Sequence, residues 1–142
     1  MKNIRRLFLD DYRDPVDCVS YMYRHIGARN PDYLESWTIV RNFESFCMNI
    51  EKSGVPDLIS FDHDLADEHY ADQSIWDNKE AYENLSENFK EKTGLDCAKW
   101  LVEYCIENNC KIPDYYVHSM NPVGAENIKN YLEHFKKHQR GN

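Results

Sequence analysis

Short apolar segments alternate with polar, helix-like segments along the chain, and they predict buried β-strands. Each apolar segment is rich in aliphatic, β-branched or aromatic residues, which is typical of strands. Four strands are predicted in this way: Ile4–Leu9, Ser36–Val40, Leu58–Phe61 and Asp114–His118. Acidic residues or a histidine lie at the end of three of them.

Helix signals lie between the predicted strands. Capping residues and helix-starting prolines predict four helix starts, at Asp14-Pro15, Asn42, Thr93 and Asn121-Pro122. The first helix is expected to run to about His25. The second, Phe43 to Lys52, carries apolar residues at helical spacing and ends before Gly54, as a C-cap glycine favours.

The alternation of strand and helix predicts an α/β three-layer sandwich with helices on both faces of a parallel four-stranded sheet. We expect the strand order 2-1-3-4 and one domain over residues 1–142. Residues 66–92 are polar, acidic and weakly periodic, and too long for an ordinary connection. They are interpreted as an insertion or lid after strand three, with some helix over residues 78–89.

In such a sheet, ligands bind beyond the carboxyl ends of the strands, where the strand order reverses. Asp10 and Asp11 follow strand one, and Asp62 follows strand three. Grouped carboxylates repel one another and need a cation or raised pKa values to coexist. We therefore expect Asp10, Asp11 and Asp62 to bind a divalent metal, Mg²⁺ or alternatively Mn²⁺, although solvated loop acids are the alternative interpretation.

Two histidines lie at the same predicted edge of the sheet. His63 sits within Asp62-His63-Asp64, and His118 ends strand four. We predict catalytic roles for His63, His118 and Asp64, because an imidazole titrates near neutral pH, although His63 could instead be a metal ligand. Neighbouring carboxylates are expected to favour the charged imidazolium of whichever histidine lacks a metal contact.

Four further residues are candidates for ligand binding. Ser119 and the helix start at Asn121 could bind phosphate oxygens, although Asn121 is equally well explained as an N-cap. Arg13 follows strand one and Arg41 follows strand two, so both could reach the same edge. Arginine there would bind phosphate in a bidentate manner or form a surface ion pair.

Composition limits the partners. The net charge of −8 argues against binding to duplex nucleic acid, which needs many Lys and Arg contacts to phosphates. No apolar run is long enough to cross a membrane, and no signal-peptide pattern is present. The five cysteines are odd in number and lack CxxC spacing, which indicates reduced thiols and a cytoplasmic location.

Nearly the whole chain resembles the cyclic-phosphate-processing receiver family (cREC), a divergent branch of receiver-like domains. The resemblance lies in LFLDD at 7–11, LISFDHDL at 58–65, TGLDCAKWL at 93–101 and VHSMNPVGAENI at 117–128. It implies a flavodoxin-like receiver fold in which Asp10 and Asp11 hold Mg²⁺ and Asp62 matches the phospho-accepting aspartate. Ser119, or His118, stands near the strand-four hydroxyl residue of receivers.

Departures from ordinary receivers shape the functional prediction. The sequence shows no fifth strand and no candidate for the lysine that receivers carry there, and two histidines flank the site instead. The resemblance therefore implies a metal-dependent phosphoesterase or binder of cyclic phosphate, either a cyclic nucleotide or a 2′,3′-cyclic RNA end. The alternative is a non-catalytic receiver-like module that binds a phosphorylated ligand or a partner protein.

Overall fold

The computed structural model describes residues 4–26, 31–66, 79–80 and 92–140. Its strands are β1 (Arg6–Leu9), β2 (Thr38–Val40), β3 (Leu58–Phe61) and β4 (Asp114–Val117). Its helices are α1 (Val19–Ile26), α2 (Phe43–Ser53), α3 (Gly94–Glu107) and α4 (Pro122–Arg140), with short 3₁₀ helices at Pro15–Cys18 and Pro31–Leu34.

The four strands form one parallel sheet in the order β2-β1-β3-β4, which confirms the predicted fold. Its register decides where the site lies. Leu9 of β1 is paired with Phe61 of β3, and Phe61 is paired with Val117 of β4. The residues that follow these three are therefore side by side at one edge of the sheet.

Side chains alternate between the two faces of the sheet. On one face, Phe8 packs with Cys18, Met22 and Tyr33, which belong to the layer of α1. On the other, the larger apolar cluster joins the sheet to α2, α3 and α4 through Leu7, Leu9, Phe46, Ile59, Phe61, Leu101, Ile128 and Leu132. The three-layer arrangement follows from this division.

Helix caps agree with the sequence pattern. The Asn42 side chain accepts a hydrogen bond from the Ser45 N–H, and Thr93 does the same for Asp96. Gly54 ends α2 with a φ of 87°, a conformation that costs glycine little.

Several predicted boundaries were wrong by a few residues. The strand predicted over Ser36–Val40 is limited to Thr38–Val40, and β4 ends at Val117 rather than His118. The first helix begins as a 3₁₀ turn. The predicted insertion and its helix fall almost wholly outside the described residues. Among the described residues, no helix is long and apolar enough to cross a membrane.

Candidate functional site

Three buried polar side chains meet at the carboxyl edge of the sheet. Asp10 follows β1, Asp62 follows β3 and His118 follows β4, with exposures of 0%, 2% and 0%. One potential ligand atom from each lies within 4.8 Å of the others. The aligned register produces this grouping, because the main-chain ladder continues from Asp62 to Leu9 and from His118 to Phe61. We call these three residues the acidic cluster.

Asp10 is held as an ionised carboxylate. Its Oδ1 accepts hydrogen bonds from the backbone N–H groups of Tyr12 and Arg13 at 2.9 and 2.8 Å. Its Oδ2 lies 3.0 Å from His118 Nε2 and 3.5 Å from the Arg13 guanidinium. Burial raises the pKa of Asp10, but the hydrogen bonds from His118 and the two backbone groups outweigh it and lower the pKa.

Asp62 is the member of the acidic cluster whose carboxylate has too few hydrogen-bond partners among the described residues. Its Oδ1 accepts a hydrogen bond from the His63 N–H at 2.9 Å. Its Oδ2 is buried and has no hydrogen-bond partner among the described residues. Burial raises the pKa of Asp62 well above its ordinary value, and the charges of Asp10, Asp64 and Asp11 raise it further. A buried oxygen of this kind is a position where a cation would be stabilising.

His118 is enclosed on all sides. Its Nε2 faces Asp10, its Nδ1 lies 2.7 Å from Ser60 Oγ, and its ring stacks on Phe8 at 4.5 Å. Burial lowers the pKa of His118 although Asp10 favours the charged form. At His118, desolvation is the larger effect. The expected charged imidazolium concerns whichever histidine lacks a metal contact, and it stays a prediction.

A buried chain of hydrogen bonds continues beyond His118. Ser60 Oγ lies 2.6 Å from the hydroxyl of Tyr33, whose ring stacks on Trp37 at 5.5 Å. Neither Ser60 nor Tyr33 is among the site residues predicted from the sequence. Ser60 carried a signal, since a polar residue in an otherwise apolar strand must find a partner. No local sequence pattern indicates a role for Tyr33, because its partner Ser60 lies 27 residues away in the sequence.

His63 belongs to a second polar group next to the cluster. Its Nδ1 lies 2.9 Å from Asp64 Oδ1, and the Asn121 side-chain amide donates to both Asp64 oxygens at 3.2 and 3.4 Å. Because an ionised carboxylate only accepts, the proton of a neutral His63 ring lies on Nδ1. Asn121 also accepts from the Gly124 N–H, so it caps α4 as predicted and orients Asp64 as well.

Two glycines allow this close packing. A Cβ atom at Gly94 would lie 1.8 Å from the backbone oxygen of Asp62, and one at Gly124 would lie 2.4 Å from His63 Cγ. Neither glycine was singled out in the sequence. Both occupy the first turn of a helix that packs directly against the Asp62-His63 segment.

The two candidate arginines have different surroundings. Arg13 approaches Asp10 and also lies 3.5 Å from Met120 Sδ. Arg41 donates from Nη1 to the backbone oxygens of Arg13 and Asp10, and from Nη2 to Asp14. Arg41 therefore holds the loop after β1, while Arg13 lies directly beside the acidic cluster.

The remaining candidates, Asp11 and Ser119, lie at the margin of the acidic cluster. Asp11 is half-buried, and its charge acts on Asp62, but it is not part of the three-residue cluster. Ser119 is half-buried and accepts a hydrogen bond from the Asn121 N–H at 3.1 Å. Their roles toward a metal and a phosphate stay predictions.

The donor set fits a divalent cation. Two carboxylates and one imidazole converge, and within the described part of the chain one buried carboxylate oxygen has no partner. Oxygen-rich sites of this kind suit Mg²⁺ or Mn²⁺, and the imidazole makes Mn²⁺ an acceptable ion. The adjoining Arg13 guanidinium adds positive charge beside the two carboxylates.

A parallel 2-1-3-4 sheet with buried acids at the ends of β1 and β3 defines a receiver-like α/β domain. The family model of the cyclic-phosphate processing receiver domain matches residues 5–134. The chain belongs to this family, as its resemblance predicted.

Other comparisons add little. No curated protein has a detectably similar sequence. One similar solved structure contains yeast Spc42 trimeric coiled-coil amino acids 181–211 in a fusion protein, with 14% sequence identity. The match covers 100% of this chain and 87% of that chain at a TM-score of 0.34, which carries no argument about fold or function.

Proposed function

We propose that this protein is a metal-dependent phosphoesterase that acts on a cyclic phosphate. The observation that carries the proposal is the buried Oδ2 of Asp62, beside Asp10 and His118, which has no hydrogen-bond partner among the described residues. A site that only stabilised the fold would be expected to satisfy this oxygen. The family supports a phosphate substrate.

Asp10, Asp62 and His118 would hold the metal, with Asp11 close enough to add charge. A bound divalent cation would supply Lewis-acid stabilisation of a phosphate and lower the pKa of a water beside it. Arg13 would contact the non-bridging oxygens of the phosphate, because its guanidinium lies next to Asp10 and is well suited to oxyanions.

His63 is the better candidate for the proton-transferring residue. The contact between Nδ1 and Asp64 Oδ1 would orient the ring for proton transfer. Asn121 fixes Asp64, and Gly124 gives the ring its space. His63 would remove the proton of the attacking water and return one to the leaving oxygen, which general acid–base catalysis requires.

One observation favours the alternative, a non-catalytic receiver-like module. His63 and His118 are 2% and 0% exposed, so neither ring is placed to exchange protons with solvent between turnovers. In that case the protein would bind Mg²⁺ and a phosphorylated ligand or partner protein without turnover.

A substrate panel with matched variants distinguishes the phosphoesterase from the non-catalytic binding module. The panel contains 2′,3′-cyclic and 3′,5′-cyclic nucleotides with Mg²⁺, Mn²⁺ or a chelator. The enzyme is expected to give metal-dependent turnover that is lost in Asp62→Asn and retained in Asp114→Asn, since Asp114 is exposed at the opposite end of β4. Stoichiometric binding without turnover over the whole panel would establish the binding module instead.

A further inference from the structure

Exposed apolar side chains lie beside the acidic cluster. Tyr12 and Met120 are 61% and 52% exposed, unusual for large side chains next to a buried polar centre. Arg13 joins them: its guanidinium lies 4.9 Å from the centre of the Tyr12 ring and 3.5 Å from Met120 Sδ. Tyr12, Arg13 and Met120 therefore form a continuous surface, which we call the rim, that reaches Asp10 through Arg13.

A groove opens next to the rim. It begins at Tyr21, Ser119, Met120 and Pro122 and continues along β4, with a volume of about 1280 Å³. Tyr21 lies 5.9 Å from the Arg13 guanidinium, so the groove and the rim are contiguous. Small-molecule sites usually have volumes of roughly 300–1,000 Å³, so there is room for more than a phosphate group.

The charges of the groove restrict what can extend along it. Among the described residues, its acidic lining residues are Asp32, Asp57, Asp114, Glu126 and Glu133, and its basic ones are Lys129 and Lys136. Lys136 is itself paired with Asp114. Each further phosphate of a polynucleotide needs a cationic contact, and this groove would repel it.

Building on the proposed function, we propose that the rim is a nucleobase subsite and that the substrate class is a single nucleoside cyclic phosphate rather than an RNA end. The Tyr12 ring and the Met120 thioether offer flat, polarisable surfaces on which a base can stack. Arg13 reaches from this surface to the cluster that would hold the phosphate. A cyclic phosphate without a base would leave both apolar side chains uncovered.

Binding measurements test the subsite independently of turnover. Adenosine 2′,3′-cyclic phosphate is compared with the cyclic phosphate of glycerol by calorimetric titration in Mg²⁺, with His63→Ala as the background so that the ligand is not hydrolysed during the titration. The nucleoside compound is expected to bind more tightly, and Tyr12→Ala or Met120→Ala should remove roughly fivefold to a hundredfold of that affinity. Tyr12→Phe should restore it, and Met48→Ala, at a 68% exposed position on α2, should have no effect.

A short oligonucleotide with the same terminal cyclic phosphate tests the choice of a single nucleoside cyclic phosphate over an RNA end. It is expected to bind more weakly than the mononucleotide at low salt, with the difference shrinking as salt screens the groove. Equal or tighter binding of the oligonucleotide would overturn the choice of substrate class.

The binding and turnover results distinguish a failure of the enzyme proposal from a failure of the nucleobase subsite. If the nucleoside compound binds through Tyr12 but nothing is hydrolysed, the enzyme proposal falls and the subsite stands. If the glycerol compound binds and turns over as well as the nucleoside compound, and Tyr12→Ala changes neither, the subsite falls and the enzyme proposal stands.

Discussion

Asp62 illustrates how a functional side chain can oppose stability. Its carboxylate is removed from water beside Asp10 and close to the charges of Asp64 and Asp11. Arg13 offsets part of this repulsion, but one oxygen stays without a hydrogen bond among the described residues. A buried charge that is incompletely paired costs free energy, so the metal-free protein is less stable than its core would otherwise allow.

Replacing Asp62 with Asn should therefore stabilise the metal-free protein. Because the pKa of Asp62 is raised in the fold, its contribution to stability falls as pH rises above the ordinary value of 3.8. At pH 7, Asp62→Asn is expected to raise the melting temperature in a chelator by a few degrees, on the order of 1 kcal/mol.

Mg²⁺ should also raise the melting temperature, but only where its site is intact. Binding to the folded state raises the melting temperature by mass action, so wild type should respond and Asp62→Asn should not. Thermal unfolding of both proteins and of Asp114→Asn, with and without Mg²⁺, measures this. A response of Asp62→Asn equal to that of wild type would remove Asp62 from the metal site.

His63 allows a second test at the residue scale. His63→Ala is expected to lower turnover of a cyclic phosphate by about a hundredfold, the lower end of general acid–base contributions. Asp64→Asn should lower it less, because the ring remains but loses its orienting carboxylate. His134→Ala is the control, since His134 is exposed on α4. Turnover near that of the control in His63→Ala would exclude this histidine from catalysis.

At the scale of the elements, contacts with α3 and α4 shape the site as much as the strands do. Gly94 opens α3 against the backbone of Asp62, and Gly124 lies in the first turn of α4 against the His63 ring. A backbone neighbour cannot rotate away, whereas a side chain can shift at some cost. The two glycines should therefore respond differently to substitution.

Gly94→Ala is expected to destabilise the fold, although alanine in a helix usually stabilises by about 0.5–1 kcal/mol. Gly124→Ala should mainly displace His63 and lower turnover. Urea unfolding and kinetic assays of both variants, with Glu103→Ala on the exposed face of α3 as control, measure the difference. A stabilising Gly94→Ala would contradict the close approach to Asp62.

The elements also show what could be predicted from the sequence. Strand order and the convergence of Asp10 with Asp62 follow from local patterns, because a parallel sheet aligns its carboxyl ends. The environment of His118 could not be predicted. It depends on Ser60 and on Tyr33, which contact one another across 27 residues of sequence, and on stacking against Phe8.

At the scale of the whole molecule, buried thiols limit stability in alkali. Burial raises the pKa of Cys18 and Cys47 to about 12 and that of Cys105 to about 11, from an ordinary value of 9.0. Burial also raises the pKa of Cys97 well above that value. These thiols stay neutral in the fold but ionise in the unfolded chain, so stability should fall as pH rises from about 9.

Reactivity of the thiols gives a direct measurement. At pH 8, one cysteine, the half-buried Cys110, should react rapidly with a thiol reagent, while the four buried ones react only on unfolding. Mass spectrometry of the labelled protein, with and without denaturant, counts the modified residues. Rapid native labelling of Cys97 or Cys105 would contradict the packing between the sheet and α3.

The stacking of Trp37 on Tyr33 gives the molecule a built-in optical probe. Tyr33 is linked through Ser60 and His118 to Asp10. A cation that binds His118 or Asp10 therefore changes the charge distribution along this chain of hydrogen bonds. The indole at its far end should register the change as a shift in fluorescence. Occupancy of the acidic cluster can then be followed in the unlabelled protein, and Trp37→Phe identifies the part of the signal that originates there.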